Sequence, residues 1–185
     1  VLDAISGRTK AIMPVHLYGQ PCDMNRLVEV AEQHDLYVIE DAAEAIGSTY
    51  RGQPVGSIGD AGCFSFYGNK TVTTGEGGIV QFQDEAAYHR ATQLRDHGMS
   101  RSKRYWHEEV GFNYRMTNLQ AAVGVAQMER IDEIIERKIE IGALYREHLA
   151  SIEGLTLPAE LENRRNTHWL FTAIVNDALD VDRDT

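Results

Sequence analysis

The chain has 185 residues, enough for one ordinary domain with a sizeable core. Its formal net charge of −10 argues against a nucleic-acid partner, because binding a phosphate backbone needs clustered cations and the main basic cluster is only Arg101-Ser-Lys-Arg104. There is no run of about 18 apolar residues, no signal peptide, and no metal-ligand or disulfide spacing around Cys22 and Cys63, so membranes and metals are not expected partners and a cytoplasmic setting is favoured.

Short apolar runs alternate with helical patterns, which predicts βαβ units and a mostly parallel sheet with flanking helices, an α/β fold. Ala11-Ile-Met-Pro-Val-His16 reads as a strand, and Asp23 is expected to cap a helix running to about His34, with Leu27, Val28 and Ala31 on one face. Residues 36–40 form the next strand, closed by Asp41, and Ala42-Ala-Glu-Ala45 has the composition of a helix start. Residues 61–66 and 78–82 are further strands; Cys63 in the first of them reads as a buried free thiol. A helix is predicted over 84–96. Residues 97–114 are polar and aromatic without a clean period, and a loop that long inside a compact domain is usually functional or disordered. Residues 117–151 give the longest helical pattern, with Ala121, Val125, Met128, Ile131, Ile135, Ile139 and Leu144 as a core stripe. A last strand is expected at Trp169-Leu-Phe-Thr-Ala-Ile-Val175. The expected organisation is a large domain over 1–125, a linking helix over 126–150, and the start of a small domain over 151–185.

Asp41 lies 29 positions before Lys70 (70 − 41), and Lys70 sits in a glycine-rich loop between two strands. A lysine that forms a Schiff base must be neutral part of the time, which burial and cofactor contact can achieve. A carboxylate at the C-terminal end of an apolar strand is well placed to keep a pyridine nitrogen protonated. Ser65 and the glycines around Lys70 offer hydroxyl and backbone N–H donors for a phosphate. Each residue alone has an ordinary reading, a solvated loop lysine and a helix-capping aspartate, but the combination points to a pyridoxal phosphate enzyme. A P-loop is ruled out, because no Gly-x-x-x-x-Gly-Lys-[Ser/Thr] is present.

Three ordered motifs carry a more specific signal: Glu40-Asp-Ala-Ala-Glu-Ala-Ile-Gly-Ser48, Phe64-Ser-Phe-Tyr-Gly-Asn-Lys-Thr-Val-Thr-Thr-Gly-Glu-Gly-Gly78, and Gly111-Phe-Asn-Tyr-Arg-Met-Thr-Asn-Leu-Gln-Ala-Ala122. Together they resemble the sugar aminotransferases of the DegT/DnrJ/EryC1/StrS family, over nearly the whole chain from Thr9 to about Trp169. Arg104-Tyr-Trp-His107 followed by Val110-Gly-Phe-Asn-Tyr114 resembles the perosamine-forming branch.

The resemblance implies the large domain of a fold type I pyridoxal phosphate-dependent transferase, with the start of a small C-terminal α+β domain. Family members are longer, so the chain is expected to be an internal fragment, in keeping with the absent initiator Met and with Asp182-Arg-Asp-Thr185 following a fresh strand. On the family pattern Lys70 links covalently to pyridoxal 5'-phosphate and then carries the proton during transfer. Asp41 holds the ring-nitrogen proton, and Ser65 donates to the cofactor phosphate. Glu44 stands where many members have Gln or His, near the ring or its phenolic oxygen, and a Glu there also fits the perosamine-forming branch. Asn113 matches a position that reaches the phosphate of the neighbouring subunit's cofactor, which implies a homodimer with shared active sites. A related dehydratase branch carries His in place of the lysine, so Lys70 argues against it. The implied reaction moves an amine from L-glutamate to a nucleotide-linked keto sugar, GDP-4-keto-6-deoxymannose in that branch. The same chemistry on a UDP- or dTDP-linked sugar, or a non-catalytic piece of the fold, are the alternatives. Arg101-Ser-Lys-Arg104 reads equally as a contact to the nucleotide diphosphate or as a solvated loop.

Overall fold

The computed structural model describes residues 1–179, so residues 180–185 of the expected small domain, with the chain end noted above, lie outside the described residues. In chain order the strands and helices are β1 (Ala11–Ile12), α1 (Met24–Gln33), β2 (Tyr37–Asp41), β3 (Thr49–Tyr50), β4 (Gln53–Pro54), β5 (Ala61–Ser65), β6 (Gly78–Phe82), α2 (Glu85–Arg95), α3 (Asn118–Met128), α4 (Ile131–Leu149), β7 (Leu155–Thr156), β8 (Arg164–Arg165) and β9 (Ile174–Val175).

Alternation along β2 buries Val38 and Glu40 and exposes Tyr37, as opposite faces of a pleat require. The main sheet has the order β1-β2-β5-β6. β1 and β5 run parallel to β2, with Ile12 opposite Val38 and Asp41 opposite Cys63, whereas β6 runs antiparallel to β5 with Ser65 opposite Gly78. The core under the sheet gathers Met24 and Ala31 of α1 with Val38, Ala42, Ala45, Tyr50 and Val55. β3 and β4 form a hairpin closed by Arg51 and Gly52, at φ 51° and 81°, the two left-handed residues a type I′ turn needs. β8 adds to its edge, and β7 pairs with β9.

Several expectations are corrected. The strand read over 11–16 stops at Ile12, because Pro14 has no N–H for a ladder. The chain stays against β2 nonetheless: Asp41 N–H donates to Pro14 O (2.8 Å) and His16 N–H to Asp41 O (3.0 Å). Asp23 precedes α1 but makes no side-chain cap; its Oδ1 accepts the Tyr50 hydroxyl at 2.9 Å instead. No helix starts at Ala42. The Ala42 N–H is taken by Cys63 O (2.9 Å), and two turns follow, closed by Ala45 N–H to Ala42 O and Ser48 N–H to Ala45 O, both at 3.0 Å. Cys63 is half-buried, not fully enclosed.

The long helix over 117–151 is two helices. α3 opens on a capping box, in which Thr117 Oγ1 accepts the Gln120 N–H and Gln120 Oε1 accepts the Thr117 N–H. It then breaks at Glu129 and Arg130 although neither Gly nor Pro stands there. Tertiary contacts decide the break: Gln127 bonds both the N–H and the carbonyl of Thr73 (3.1 and 2.7 Å), while α4 seats Ile135 on Gly47. A Cβ on Gly47 would lie 2.2 Å from Ile135 Cδ1, at a backbone φ of +78°. Gly47→Ala is therefore expected to destabilise the fold by about 1–3 kcal/mol, through overpacking and backbone strain together; an unchanged urea midpoint would show that Ile135 is not seated there. Finally, of the strand expected over 169–175 only Ile174–Val175 is paired as a strand.

Candidate active site

Parallel strands deliver their last residues to one edge, where loops can meet a ligand. Asp41 ends β2 and Ser65 ends the neighbouring β5. Asp41 Oδ1 accepts the Ala43 N–H at 3.0 Å and lies 4.0 Å from Cys63 Sγ; Oδ2 has no hydrogen bond among the described residues. Burial first, and then the Asp41 charge, push the Cys63 thiol above its ordinary range. Ser65 Oγ accepts the Tyr67 N–H at 3.2 Å, which leaves its O–H free to donate.

The lysine loop is folded on itself and clamped from outside. Thr74 N–H and Thr73 Oγ1–H both donate to Phe66 O (2.9 and 3.0 Å), and Phe66 N–H donates to Gly77 O (2.9 Å). From α3, Gln127 holds Thr73 and Gln120 Nε2 donates to Glu76 O at 3.0 Å. Lys70 thus extends from a platform fixed by β5, β6 and α3. Its Nζ stands 3.6 Å from Glu44 Oε1, and the two side chains are only 13% and 20% exposed. Glu44 Oε2 accepts the Tyr18 N–H at 2.8 Å, within a turn where Tyr18 takes a left-handed φ of 56°. Lys70 Nζ also lies 3.9 Å from the centre of the Trp169 ring.

Of the five residues expected at the site, Lys70 and Glu44 are in contact, and Asp41 and Ser65 end adjacent parallel strands. Asn113 is exposed, on a segment bridged to Asp96 at the end of α2, and makes no hydrogen bond to the other four. The broad groove of about 770 Å³ bounded by β6, α2 and residues around Phe112 and Tyr114 is lined by none of the five.

Two features were missed in the sequence. One is the aromatic pair Tyr18 and Trp169, whose rings stack with centroids 6.2 Å apart; nothing local connects residue 169 to residue 70. The other is Glu40, fully buried, whose carboxylate accepts from Gly56 N–H (2.7 Å), Ile58 N–H (2.6 Å), Gly59 N–H (2.7 Å) and His16 Nε2 (2.9 Å). His16 Nδ1 accepts the Cys22 N–H at 3.1 Å, which specifies the tautomer with the proton on Nε2. Burial pushes the Glu40 carboxyl up, but His16 and the three amides outweigh it and hold it below the ordinary value. A carboxylate on the inward face of β2 was the available signal. Glu40 sits directly before Asp41, so it fixes the strand end that presents the site.

The donor set suits a phosphorylated pyridine aldehyde: a sheltered primary amine, a carboxylate oxygen without a protein partner, and a free hydroxyl at a glycine-flanked strand end. Among the described residues no helix is long and apolar enough to cross a membrane.

A family model described as the DegT/DnrJ/EryC1/StrS aminotransferase family matches residues 1–185. The chain is similar to GDP-perosamine synthase of Caulobacter vibrioides, 49% identical over 181 residues, covering 97% of this chain and 49% of that protein. It is similar also to GDP-perosamine synthase of Escherichia coli O157:H7, 46% identical over 174 residues, covering 94% and 47%. Among solved structures, S. venezuelae DesV superposes with a TM-score of 0.88 at 39% identity, covering 94% of this chain and 46% of that one. The architecture is that of fold type I. The chain spans about half the length of the curated relatives it matches.

Proposed function

We propose that this chain, which belongs to the DegT/DnrJ/EryC1/StrS aminotransferase family, serves the pyridoxal 5'-phosphate-dependent transfer of an amino group from L-glutamate to a nucleotide-linked keto sugar. The single observation that carries the reading is Lys70 on its clamped loop, sheltered against Glu44, with Asp41 and Ser65 ending neighbouring parallel strands. The acceptor is GDP-4-keto-6-deoxymannose, an assignment supported by the names of relatives 46–49% identical to this chain. The reaction belongs to the cytoplasm.

Pyridoxal 5'-phosphate, when bound, supplies the electron sink that makes the carbon next to the amine acidic. Everything else falls to the chain. Lys70 is the covalent anchor and, once freed, the group that moves the proton at the reacting carbon. Asp41, with an oxygen free of hydrogen bonds among the described residues, would hold the proton on the ring nitrogen. Ser65, whose Oγ accepts the Tyr67 N–H, would donate its hydroxyl to the phosphate. Glu44 stands next to the lysine and would lie near the ring or its phenolic oxygen. Asn113 is exposed and makes no hydrogen bond to the other four residues, which suits its assignment to the cofactor phosphate of a partner subunit, and a homodimer is part of the proposal.

Ser65→Ala removes one charge-assisted hydrogen bond, so the Kd for pyridoxal 5'-phosphate is expected to rise by about 10- to 150-fold, read by spectroscopic titration. The overall reaction is tested with purified protein, L-glutamate and GDP-4-keto-6-deoxymannose: 2-oxoglutarate and the amino sugar should form in equal amounts, with parallel double-reciprocal lines. Intersecting lines, or transfer to a UDP- or dTDP-linked keto sugar in preference, would overturn the assignment.

A further inference from the structure

Trp169 is fixed on three sides. Its carbonyl accepts the Lys138 ammonium of α4 at 2.9 Å, its Nε1–H donates to Asn69 O at 2.9 Å, and its ring stacks on Tyr18 with 20° between the planes. Just before it the chain turns at His168, in a left-handed conformation of φ 50° with its N–H on Asn166 Oδ1 at 2.7 Å. The ring also meets Lys70, whose Nζ lies 3.9 Å from the ring centre and 3.6 Å from Glu44 Oε1. A cation over an indole face is attracted by the ring quadrupole, most strongly where water is excluded, and Lys70 here is 13% exposed. Neither the stacking nor the hydrogen bond to Asn69 requires a lysine at position 70; the arrangement builds a receptor for one.

We propose that Trp169 is a positioning residue for Lys70: its indole face, together with Glu44, receives the lysine ammonium whenever the side chain is not covalently engaged. The importance of this for turnover rests on the function proposed above, but the holding itself does not. A catalytic lysine with four rotatable carbons has many places to go once released, and a fixed aromatic face with a carboxylate beside it returns the amine to one of them. The same contact must break before the nitrogen can bond to a carbonyl carbon, so the ring face competes with every reaction at Nζ.

The test is acetylation of the purified protein by an N-hydroxysuccinimide ester, followed lysine by lysine by mass spectrometry, with exposed Lys10 as the internal reference. Trp169→Leu is expected to raise the rate at Lys70 relative to Lys10 by about tenfold, the scale of a sheltered cation–π contact. Trp169→Phe keeps a ring but loses the bond to Asn69, and should stay within about threefold of the parent protein. Glu44→Gln, which leaves both rings in place, should raise the rate severalfold. Lys103, stacked on Trp106 elsewhere, should not change in any variant, which separates a local effect from unfolding. Equal rates in Trp169→Leu and Trp169→Phe, or no change at Lys70 in both Trp169→Leu and Glu44→Gln, would overturn the proposal. Reduction in the presence of pyridoxal phosphate reports separately on function: capture at a lysine other than Lys70 would sink the catalytic reading and leave these ratios untouched.

Discussion

Lys70→Ala is expected to abolish amine transfer, with a loss of at least about 10²–10⁴-fold, because in the proposed reaction one side chain supplies both the covalent anchor and the proton carrier. No neighbour can replace it. Lys138 is engaged on the Trp169 carbonyl, with its amine held below the ordinary range by burial, and Glu44 cannot form a Schiff base. Lys70→Arg should be as inactive as the alanine variant, since a guanidinium stays charged and offers no nucleophilic amine. Retained transfer in either variant, measured as 2-oxoglutarate formed from L-glutamate, would remove Lys70 from the role. The loop itself should survive, because its clamps run through Thr73, Thr74 and Phe66 and not through the lysine.

Glu40→Gln should cost about 3–5 kcal/mol of stability, the range for breaking a buried, hydrogen-bonded charge. Both carboxylate oxygens accept two donors each, Gly56 and His16 on one and Ile58 and Gly59 on the other. A glutamine must turn its NH2 toward one of those pairs, setting donor against donor and leaving two buried N–H groups unsatisfied. A loss of that size is a large share of the total stability of an ordinary domain. The pH dependence follows from the sign of the shift. Glu40 titrates below its ordinary value of 4.5 in the folded protein, so its stabilisation is complete above that value and is lost as pH falls through the lower, folded one. Urea midpoints taken from neutral pH down to about pH 3 should fall steeply in the parent protein and less steeply in Glu40→Gln. Identical slopes would show that other carboxylates govern the acid limb.

The parts of the site that were legible in the sequence are those with local causes. β2, β5 and β6 follow from short apolar runs, and the loop between β5 and β6 from its glycines, so Asp41, Ser65 and Lys70 could each be assigned to a strand end or a loop. The mostly parallel sheet followed from the alternation of strand and helix patterns. What escaped was decided at long range. The break between α3 and α4 has no helix-breaking residue; it is set where Gln127 meets Thr73 and Ile135 meets Gly47, partners 54 and 88 positions away (127 − 73 and 135 − 47). The helix expected at Ala42 is replaced by two successive turns, closed by Ala45 N–H to Ala42 O and Ser48 N–H to Ala45 O. Trp169 carried the signal of a strand residue, and only the turn at His168 delivers it to the lysine. Glu40 lay within a motif but beside the residue that drew attention, and its four donors are visible only once the backbone around Gly56, Ile58 and Gly59 is in place.

Borohydride reduction of the protein with pyridoxal 5'-phosphate, followed by peptide mapping, tests the central claim most directly. The account predicts one modified site, Lys70, with Lys10, Lys103 and Lys138 unmodified at stoichiometric cofactor, and prior treatment with L-glutamate should prevent the capture by converting the aldehyde to an amine. Modification spread over several lysines, or centred on any lysine but Lys70, would contradict it.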